Sequence, residues 1–212
     1  MCLSQLARGA RTLQKGESVY RAGMRFRGIF ALKSGSAKLV HSDAKGREAI
    51  VAILLPGELG GLDGLSRGNY RCSLVTLETS CSYDLPEDVL GELSSRLPVL
   101  NQRIVRHASD KIEHSIERLA QVSHPADERL ARFLLDLGAR FHARGYAAEE
   151  FNLPLTRQEI GSYLGLTLET VCRLLTRLET LGLIDVDGKF VRLRSLSGLR
   201  ALAKIPEPTR SR

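Results

Sequence analysis

Apolar and polar positions follow two different periods along this chain. From about residue 11 to residue 85, short apolar and β-branched runs at residues 28–32, 37–41 and 48–54 are separated by glycine turns. Short strands punctuated by such turns are typical of a small β-barrel or jelly roll. From Pro86 onward the spacing becomes helical, so we expect an α+β fold in which the strands come first.

A long helix is predicted from residue 99 to residue 122, after the Leu97-Pro98 interruption. A helix of this length with one narrow apolar stripe packs against a second helix or only against its own barrel, and the spacing allows both. The stripe consists of Leu100, Ile104, Ala108, Ile112, Ser115, Ile116 and Leu119.

Pro125 then breaks the helical pattern, and Asp127 can begin the next helix. The chain is therefore divided into a barrel domain over residues 1–97, the long helix over residues 98–123 and a C-terminal domain over residues 124–212.

Residues 155–178 predict two short helices joined by a tight turn. Thr156 and Glu159 have the spacing of a capping box, in which hydroxyl and carboxylate satisfy the first free amides of a helix. Gly165 ends that helix where the chain turns, and Thr167 is the expected N-cap of the second helix.

The second helix has two faces. Its apolar face is formed by Val171, Leu174, Leu175 and Leu178. The opposite face, roughly 200° away, carries Glu169, Cys172, Arg173 and Thr176. A guanidinium pairs with guanine acceptors and a carboxylate accepts from the cytosine amino group, so this face suits a DNA major groove. The simpler interpretation is a solvated pair of charges four residues apart.

The residues that follow favour DNA reading. Two alternating strands flank an Asp187-Gly188 turn, which is a strong hairpin signal. A helix-turn-helix followed by such a hairpin is a winged helix. Lys189 at its tip and Arg192 beyond it are expected near DNA phosphates.

These residues carry a family resemblance. The segment LPLTRQEIGSYLGLTLETVCRLLTRLETLGLI resembles the DNA-binding motif of the CRP/FNR superfamily of bacterial transcription regulators, and in particular its FNR-like branch. That branch carries Glu-x-x-Ser-Arg in its reading helix, and Glu169, Cys172 and Arg173 occupy these places. Cys172 departs from the motif.

The resemblance implies a homodimer bound to a palindrome with TTGAT-like half-sites. It implies base contacts from Glu169, Cys172, Arg173 and Thr176. It implies phosphate contacts from Thr156, Arg157, Thr167, Thr170 and Lys189. It also implies a contact with RNA polymerase. The long helix would pair with its twin, and we expect this dimer to form without a signal.

The N-terminal part resembles the cyclic-nucleotide-binding-type sensor domain of the same superfamily, through QKGESVYRAG, GIFALKSGSAKLV and LLPGELGG. A candidate effector pocket consists of Gly61, Arg71 and Cys72. Members that bind the nucleotide carry a glutamate where Leu62 stands and a hydroxyl where Cys72 stands. Control by cyclic AMP is therefore not expected.

An iron–sulfur cluster is not expected either. Four thiolates are the usual requirement, and FNR-type sensors place three ahead of the barrel and one within it. The cysteines of this chain are Cys2, Cys72, Cys81 and Cys172, and Tyr83 occupies the place of the barrel cysteine. We expect reduced structural thiols and no metal, unless a longer N-terminus carries further cysteines.

Composition adds little to this interpretation. The net charge is +7, and from residue 151 onward ten Lys and Arg stand against six Asp and Glu, so the basic excess is densest near the DNA motif. No apolar run suits a signal peptide or a membrane span, so a cytoplasmic location without membrane contact is expected.

Two other functional classes are an enzyme and a ligand-gated module. The sequence shows no nucleophile–base pair and no phosphate-cradling loop, which disfavours an enzyme. The remaining alternative is a ligand-gated module of the cyclic-nucleotide-binding type that controls a protein partner.

Overall fold

The computed structural model describes residues 9–96 and 98–206. Internal contacts divide the chain into two compact units, Met1–Ile116 and Glu117–Arg212. The division falls within the long helix, between Ile116 and Glu117. Along the described residues, no helix is both long enough and apolar enough to cross a membrane.

The first unit contains two four-stranded antiparallel sheets. One sheet has the order β1-β8-β3-β6, with β1 at Ala10–Leu13, β8 at Ser80–Pro86, β3 at Gly28–Ser34 and β6 at Leu59–Gly60. The other has the order β2-β7-β4-β5, with β2 at Ser18–Tyr20, β7 at Ser73–Thr76, β4 at Ala37–Ser42 and β5 at Glu48–Leu54. The expectation of a β-rich domain at the start of the chain is confirmed.

One apolar cluster holds these two sheets together. It takes Ile29 and Ala31 from β3, Leu85 from β8, and Leu54 and Leu74 from the second sheet. These residues are almost fully buried, and burying each large apolar side chain contributes about 1.5–3 kcal/mol relative to leaving it exposed. The strands therefore owe their pairing to a shared core as well as to ladder hydrogen bonds.

Two helices follow the strands in sequence. Helix α1 spans Glu87–Arg96 and contacts β3 and β8, and helix α2 spans Pro98–Ala120. A single 3-10 turn, Gln121–Ser123, ends this region. The side chain of Lys111 on α2 forms an ion pair with the buried Glu58, with 2.7 Å between Nζ and Oε2. This ion pair ties α2 to the turn between β5 and β6.

The second unit contains four helices among its described residues: α3 at Ala126–His142, α4 at Arg157–Leu164, α5 at Leu168–Thr180 and α6 at Leu196–Leu202. A three-stranded antiparallel sheet has the order β10-β11-β9, with β10 at Ile184–Asp187, β11 at Phe190–Leu193 and β9 at Glu150–Asn152. The predicted helix-turn-helix and hairpin are confirmed, whereas β9 and α6 were not predicted.

A buried carboxylate closes the base of α3. Glu128 forms ion pairs with Arg132 Nη2 at 3.2 Å and with Lys204 Nζ at 3.2 Å, and its Oε1 lies 2.8 Å from His124 Nδ1. Burial raises the pKa of Glu128, but the hydrogen bond from Lys204 and the surrounding positive charges outweigh burial and lower the pKa below its usual value. Glu128, which precedes the helix-turn-helix and wing in sequence, is therefore joined to Lys204, which follows them.

Candidate nucleic-acid interface

Helix α4 begins at the predicted capping box. The Thr156 hydroxyl accepts the backbone N–H of Glu159 at 3.2 Å, and the Glu159 carboxylate accepts the backbone N–H of Thr156 at 2.8 Å. Two amides that would otherwise lack partners are satisfied, so the start of the helix is fixed by local sequence.

The turn after α4 depends on two glycines. Gly165 adopts a left-handed conformation with φ of 66°, and its N–H donates to the Gly161 carbonyl. A Cβ on Gly161 would lie 2.7 Å from the Leu166 carbonyl oxygen, and the Leu166 N–H donates to the Gly161 carbonyl at 2.8 Å. The chain passes the helix at a distance that only glycine permits at position 161.

Helix α5 has the two predicted faces. Its buried face consists of Val171, Leu174, Leu175 and Leu178. Its exposed face carries the four predicted base-reading residues Glu169, Cys172, Arg173 and Thr176. One face anchors the helix and the other is available to a ligand.

Glu169 and Arg173 do not pair with each other. Among the described residues, neither side chain takes part in a hydrogen bond or an ion pair. The solvated pair of charges four residues apart is therefore not formed. Both groups present their full hydrogen-bonding capacity outward, as direct recognition of base edges requires.

The start of α5 carries two of the predicted phosphate contacts. The Thr167 hydroxyl accepts the backbone N–H of Thr170 at 3.2 Å, and the two threonine hydroxyl oxygens lie 2.9 Å apart. Thr167 is therefore the N-cap, as predicted. The positive end of the helix dipole at this point favours a phosphate.

The wing places Lys189 at the tip of the hairpin, between Asp187 of β10 and Phe190 of β11, with its side chain exposed. Arg157 at the start of α4 donates from Nη2 to the carbonyl oxygen of Gly188 at 3.1 Å. The structure thus brings together Arg157 and Lys189, two of the predicted phosphate contacts, at the tip of the wing.

The structure shows an ion pair for Arg192 that the sequence did not predict. Its guanidinium forms an ion pair with Glu150 on β9, with 2.7 Å between Nε and Oε1. Sequence reasoning missed this because β9 is only three residues long and carries no recognisable period. Arg192 therefore contacts the sheet, its phosphate contact stays a prediction, and Lys189 is exposed at the wing tip beside Arg157.

The candidate effector pocket is closed by a carboxylate that sequence reasoning missed. Asp63 Oδ2 accepts the backbone N–H of Arg71 at 2.8 Å and that of Cys72 at 3.0 Å. Burial, and then the charge of Asp63, raise the pKa of the Cys72 thiol to about 11, so this thiol is neutral at pH 7. The only signal in the sequence was a carboxylate among the glycines of residues 60–64.

Two stacked tyrosines fill the space beside this loop. The rings of Tyr20 and Tyr70 lie 3.9 Å apart between centroids, and both residues are buried. The Tyr20 hydroxyl donates to Asp63 Oδ1 at 3.2 Å and accepts the backbone N–H of Gly61 at 2.9 Å. Burial, followed by the nearby Asp63 charge, raises the pKa of Tyr20, so its hydroxyl stays protonated. The three residues of the candidate effector pocket, Gly61, Arg71 and Cys72, therefore lie close together, and the group at their centre is the side chain of Asp63.

The predicted stripe on α2 is largely exposed. Ile112, Ile116 and Leu119 are 61%, 62% and 74% exposed, and Ser115 lies on the same side. Ala108 is half-buried, and the side chain of Leu100 lies outside the part of the chain that the structure describes. So large an apolar surface on a helix is typical of an interface.

Ile104 is a correction to the stripe. It is half-buried and packs against the core of the first unit, so it faces its own barrel. Its neighbour Val105 is 66% exposed instead, and Val105, Ile112 and Leu119 follow one another at seven-residue steps. Steps of three and four residues fit both the stripe that contains Ile104 and the adjacent stripe that contains Val105, so the spacing alone does not show which of the two is exposed.

Comparison with known families agrees with this arrangement. Residues 10–96 match the cyclic nucleotide-binding domain family, and residues 128–202 match the Crp-like helix-turn-helix domain family. The chain belongs to the CRP/FNR superfamily of transcription regulators. It lies in the FNR branch and is a DNA-binding regulator of transcription.

Its relatives cover nearly the whole chain. The regulator is 41% identical over 202 residues to the transcriptional activator protein FnrA of Stutzerimonas stutzeri, covering 95% of this chain and 83% of the relative. It is 37% identical over 198 residues to the anaerobic regulatory protein of Haemophilus influenzae, covering 93% and 77%. The structure of FixK2 from Bradyrhizobium japonicum superposes with a TM-score of 0.83 at 25% identity, covering 95% and 98%.

The structure describes three thiols of this CRP/FNR regulator. Cys72 is buried, Cys81 pairs with Thr12 in the β1–β8 ladder, and Cys172 is exposed on α5. Cys2 lies outside the described residues. Across residues 9–96 and 98–206, no group of three or more His, Cys, Asp or Glu side chains could hold a metal ion. The described thiols therefore provide no four-thiolate set.

Replacing Gly161 with alanine tests the close approach in the turn. The added Cβ would meet the Leu166 carbonyl oxygen at 2.7 Å, so the turn must shift. We expect a loss of about 1–3 kcal/mol in the free energy of unfolding, measured by urea denaturation. Gly91→Ala in α1 is the control, because a Cβ there meets nothing within 4 Å. An unchanged stability for Gly161→Ala would contradict the proposed constraint.

Proposed function

We propose that this regulator binds, as a homodimer, to palindromic DNA with TTGAT-like half-sites. The observation that carries the proposal is the exposed face of α5, on which Glu169 and Arg173 are unpaired among the described residues. Arg173 would donate to guanine and Glu169 would accept from cytosine, while Cys172 and Thr176 lie beside them on the same face. Thr156, Arg157, Thr167, Thr170 and Lys189 would contact phosphates and set the register.

Dimer formation follows from the exposed stripe on α2. Ile112, Ile116 and Leu119 are each more than half exposed in the single chain, and a second copy related by a two-fold axis would bury them. A two-fold axis in the protein also matches the two-fold axis of a palindrome. Val105 on α2 and Val122 in the 3-10 turn after it are also exposed and would extend the same surface.

The barrel would not respond to cyclic AMP. In this proposal the amides of Arg71 and Cys72, which would receive a phosphate, already bond to Asp63. A nucleotide would have to displace a carboxylate that is joined to the same loop, and would have to separate the stacked rings of Tyr20 and Tyr70. The same contacts disfavour the ligand-gated module as an alternative, and neither a nucleotide nor an iron–sulfur cluster enters the proposal.

A cytoplasmic location and a contact with RNA polymerase are part of the same proposal. Relatives such as FnrA are named transcriptional activators, and activation requires that the DNA-bound protein meet the polymerase. No residue of this chain is assigned to that contact.

Substitution of Arg173 by alanine tests base reading. Removing one bidentate contact should cost about 1–3 kcal/mol on the matched TTGAT palindrome and relax the preference at one base pair. Fluorescence anisotropy on the matched duplex, on single-base variants of it and on a scrambled duplex measures this. Lys189→Ala is the matched control, because loss of a phosphate contact should weaken all duplexes alike and flatten the salt dependence. Equal losses on matched and scrambled DNA for Arg173→Ala would refute the assignment.

Substitution of Ile112 by aspartate tests the dimer. An added charge in a buried apolar interface, present twice because of symmetry, should raise the dimer dissociation constant by about two orders of magnitude or more. Light scattering coupled to gel filtration measures the mass. His114→Asp is the control, since residue 114 lies roughly 200° around the helix from Ile112. A wild-type monomer at micromolar concentration, or a dimer that Ile112→Asp leaves intact, would count against the stripe.

Replacing Asp63 with alanine tests the closed pocket. Two backbone amides, one exposed and one partly buried, lose their acceptor, so we expect a loss of about 1 kcal/mol in the free energy of unfolding. Calorimetric titration of the wild-type protein with excess cyclic AMP should show no heat of binding, with a cyclic-AMP-binding regulator as the positive control. Saturable binding of cyclic AMP to the wild-type chain is the result that would overturn the closed pocket.

A further inference from the structure

Two arginines bind the last carbonyl groups of α4. Arg118 donates from Nη2 to the Tyr163 carbonyl at 3.0 Å, and Arg129 donates from Nη1 to the Leu164 carbonyl at 2.6 Å. Carbonyls at a helix C-terminus lack partners within the helix and lie at the negative end of its dipole, so cations stabilise them. Both guanidinium groups therefore contact the end of α4, next to the turn that leads into α5, the helix proposed to read the bases and called the reading helix below.

The two arginines belong to different helices. Arg129 belongs to α3 and so to the same compact helical body as α4. Arg118 belongs to the last turns of α2, on the other side of the break formed by the 3-10 turn Gln121–Ser123 and Pro125. Arg118 therefore makes a contact that crosses this break between α2 and α3.

The Arg118 guanidinium also makes a cation–π contact with the Tyr163 ring. Its guanidinium carbon lies 4.1 Å from the centroid of the Tyr163 ring, and the side chain is half-buried. The Tyr163 ring lies 5.6 Å from the ring of Phe133 on α3, measured between centroids. Since cation–π contacts gain strength as they lose water, a half-buried guanidinium held at both the ring and the carbonyl is well fixed.

The same turn of α2 carries the apolar stripe. Leu119, the next residue after Arg118, is 74% exposed, and Val122, in the 3-10 turn that follows α2, is 67% exposed. Adjacent helical residues point roughly 100° apart, so one turn can hold a partner helix on one side and α4 on the other.

We propose that Arg118 is a positioning residue that fixes α4, and with it the reading helix α5, relative to the last turn of α2, which carries Leu119 of the apolar stripe, so that both copies meet their half-sites together. This inference rests on the proposed function, namely recognition of a palindrome by a dimer. The half-sites of such DNA are about one helical turn, roughly 34 Å, apart, and both reading helices must reach their grooves at once. A fixed geometry turns the second contact into an intramolecular event with a high effective concentration.

The experiment compares three proteins, wild type, Arg118→Ala and Arg118→Lys, on a full TTGAT palindrome and on a duplex with a single half-site. For Arg118→Ala we expect affinity for the palindrome to fall by about tenfold or more, with affinity for the single half-site unchanged. The variant should also tolerate a spacer changed by about one base pair better than wild type does.

Arg118→Lys should recover part of the affinity, because an ammonium group keeps the charge and one donor but loses the planar fork. Arg103→Ala is the matched control, since Arg103 is an exposed arginine on the same helix. It should behave as wild type on both duplexes. Light scattering and circular dichroism establish that each variant is a folded dimer.

Three results would overturn the inference. Equal losses on both duplexes would show that Arg118 only stabilises α4, and unchanged affinities would show that it does nothing for binding. A monomeric Arg118→Ala variant would show that the residue acts on dimer formation. If instead the wild-type protein fails to prefer the palindrome over scrambled DNA, the proposed function itself fails, and the inference fails with it.

Discussion

The close approach between Gly161 and the Leu166 carbonyl governs the DNA-binding half of the molecule. It holds the chain that leaves α4 close to the helix, and the buried face of α5 follows directly after this turn. The capping box before the turn and the Thr167 cap after it satisfy the free amides on both sides. A rigid support of this kind is what lets four exposed side chains be presented without contacts of their own.

Much of this region could be predicted from the sequence because its determinants are local. Capping boxes, helix-ending glycines and an Asp-Gly hairpin each act within about five residues, and their outcome does not depend on the rest of the fold. The two faces of α5 could likewise be predicted from the helical spacing of its apolar residues. Ile104 was assigned to the wrong side of α2 for the opposite reason, since the barrel decides which of two adjacent stripes it covers.

The barrel shows where local reasoning ends. Asp63 bonds to backbone groups eight and nine residues further along, and Tyr20 reaches Asp63 across 43 residues. No spacing rule reports such contacts. They nevertheless hold the loop of this domain in place, because Asp63 accepts two backbone amides and the Tyr20 hydroxyl.

The seven-residue steps of Val105, Ile112 and Leu119 have a geometric consequence for the proposed dimer. A straight α-helix repeats every 3.6 residues, so a stripe with a strict seven-residue repeat drifts by about 20° per heptad around the helix. Two such helices stay in contact only if they wind around each other with a left-handed twist. Over the two heptads from Val105 to Leu119 the winding amounts to about 40°. The pair of α2 helices would thus form a short left-handed coiled coil, and its length would limit how far the two chains can turn about their common axis.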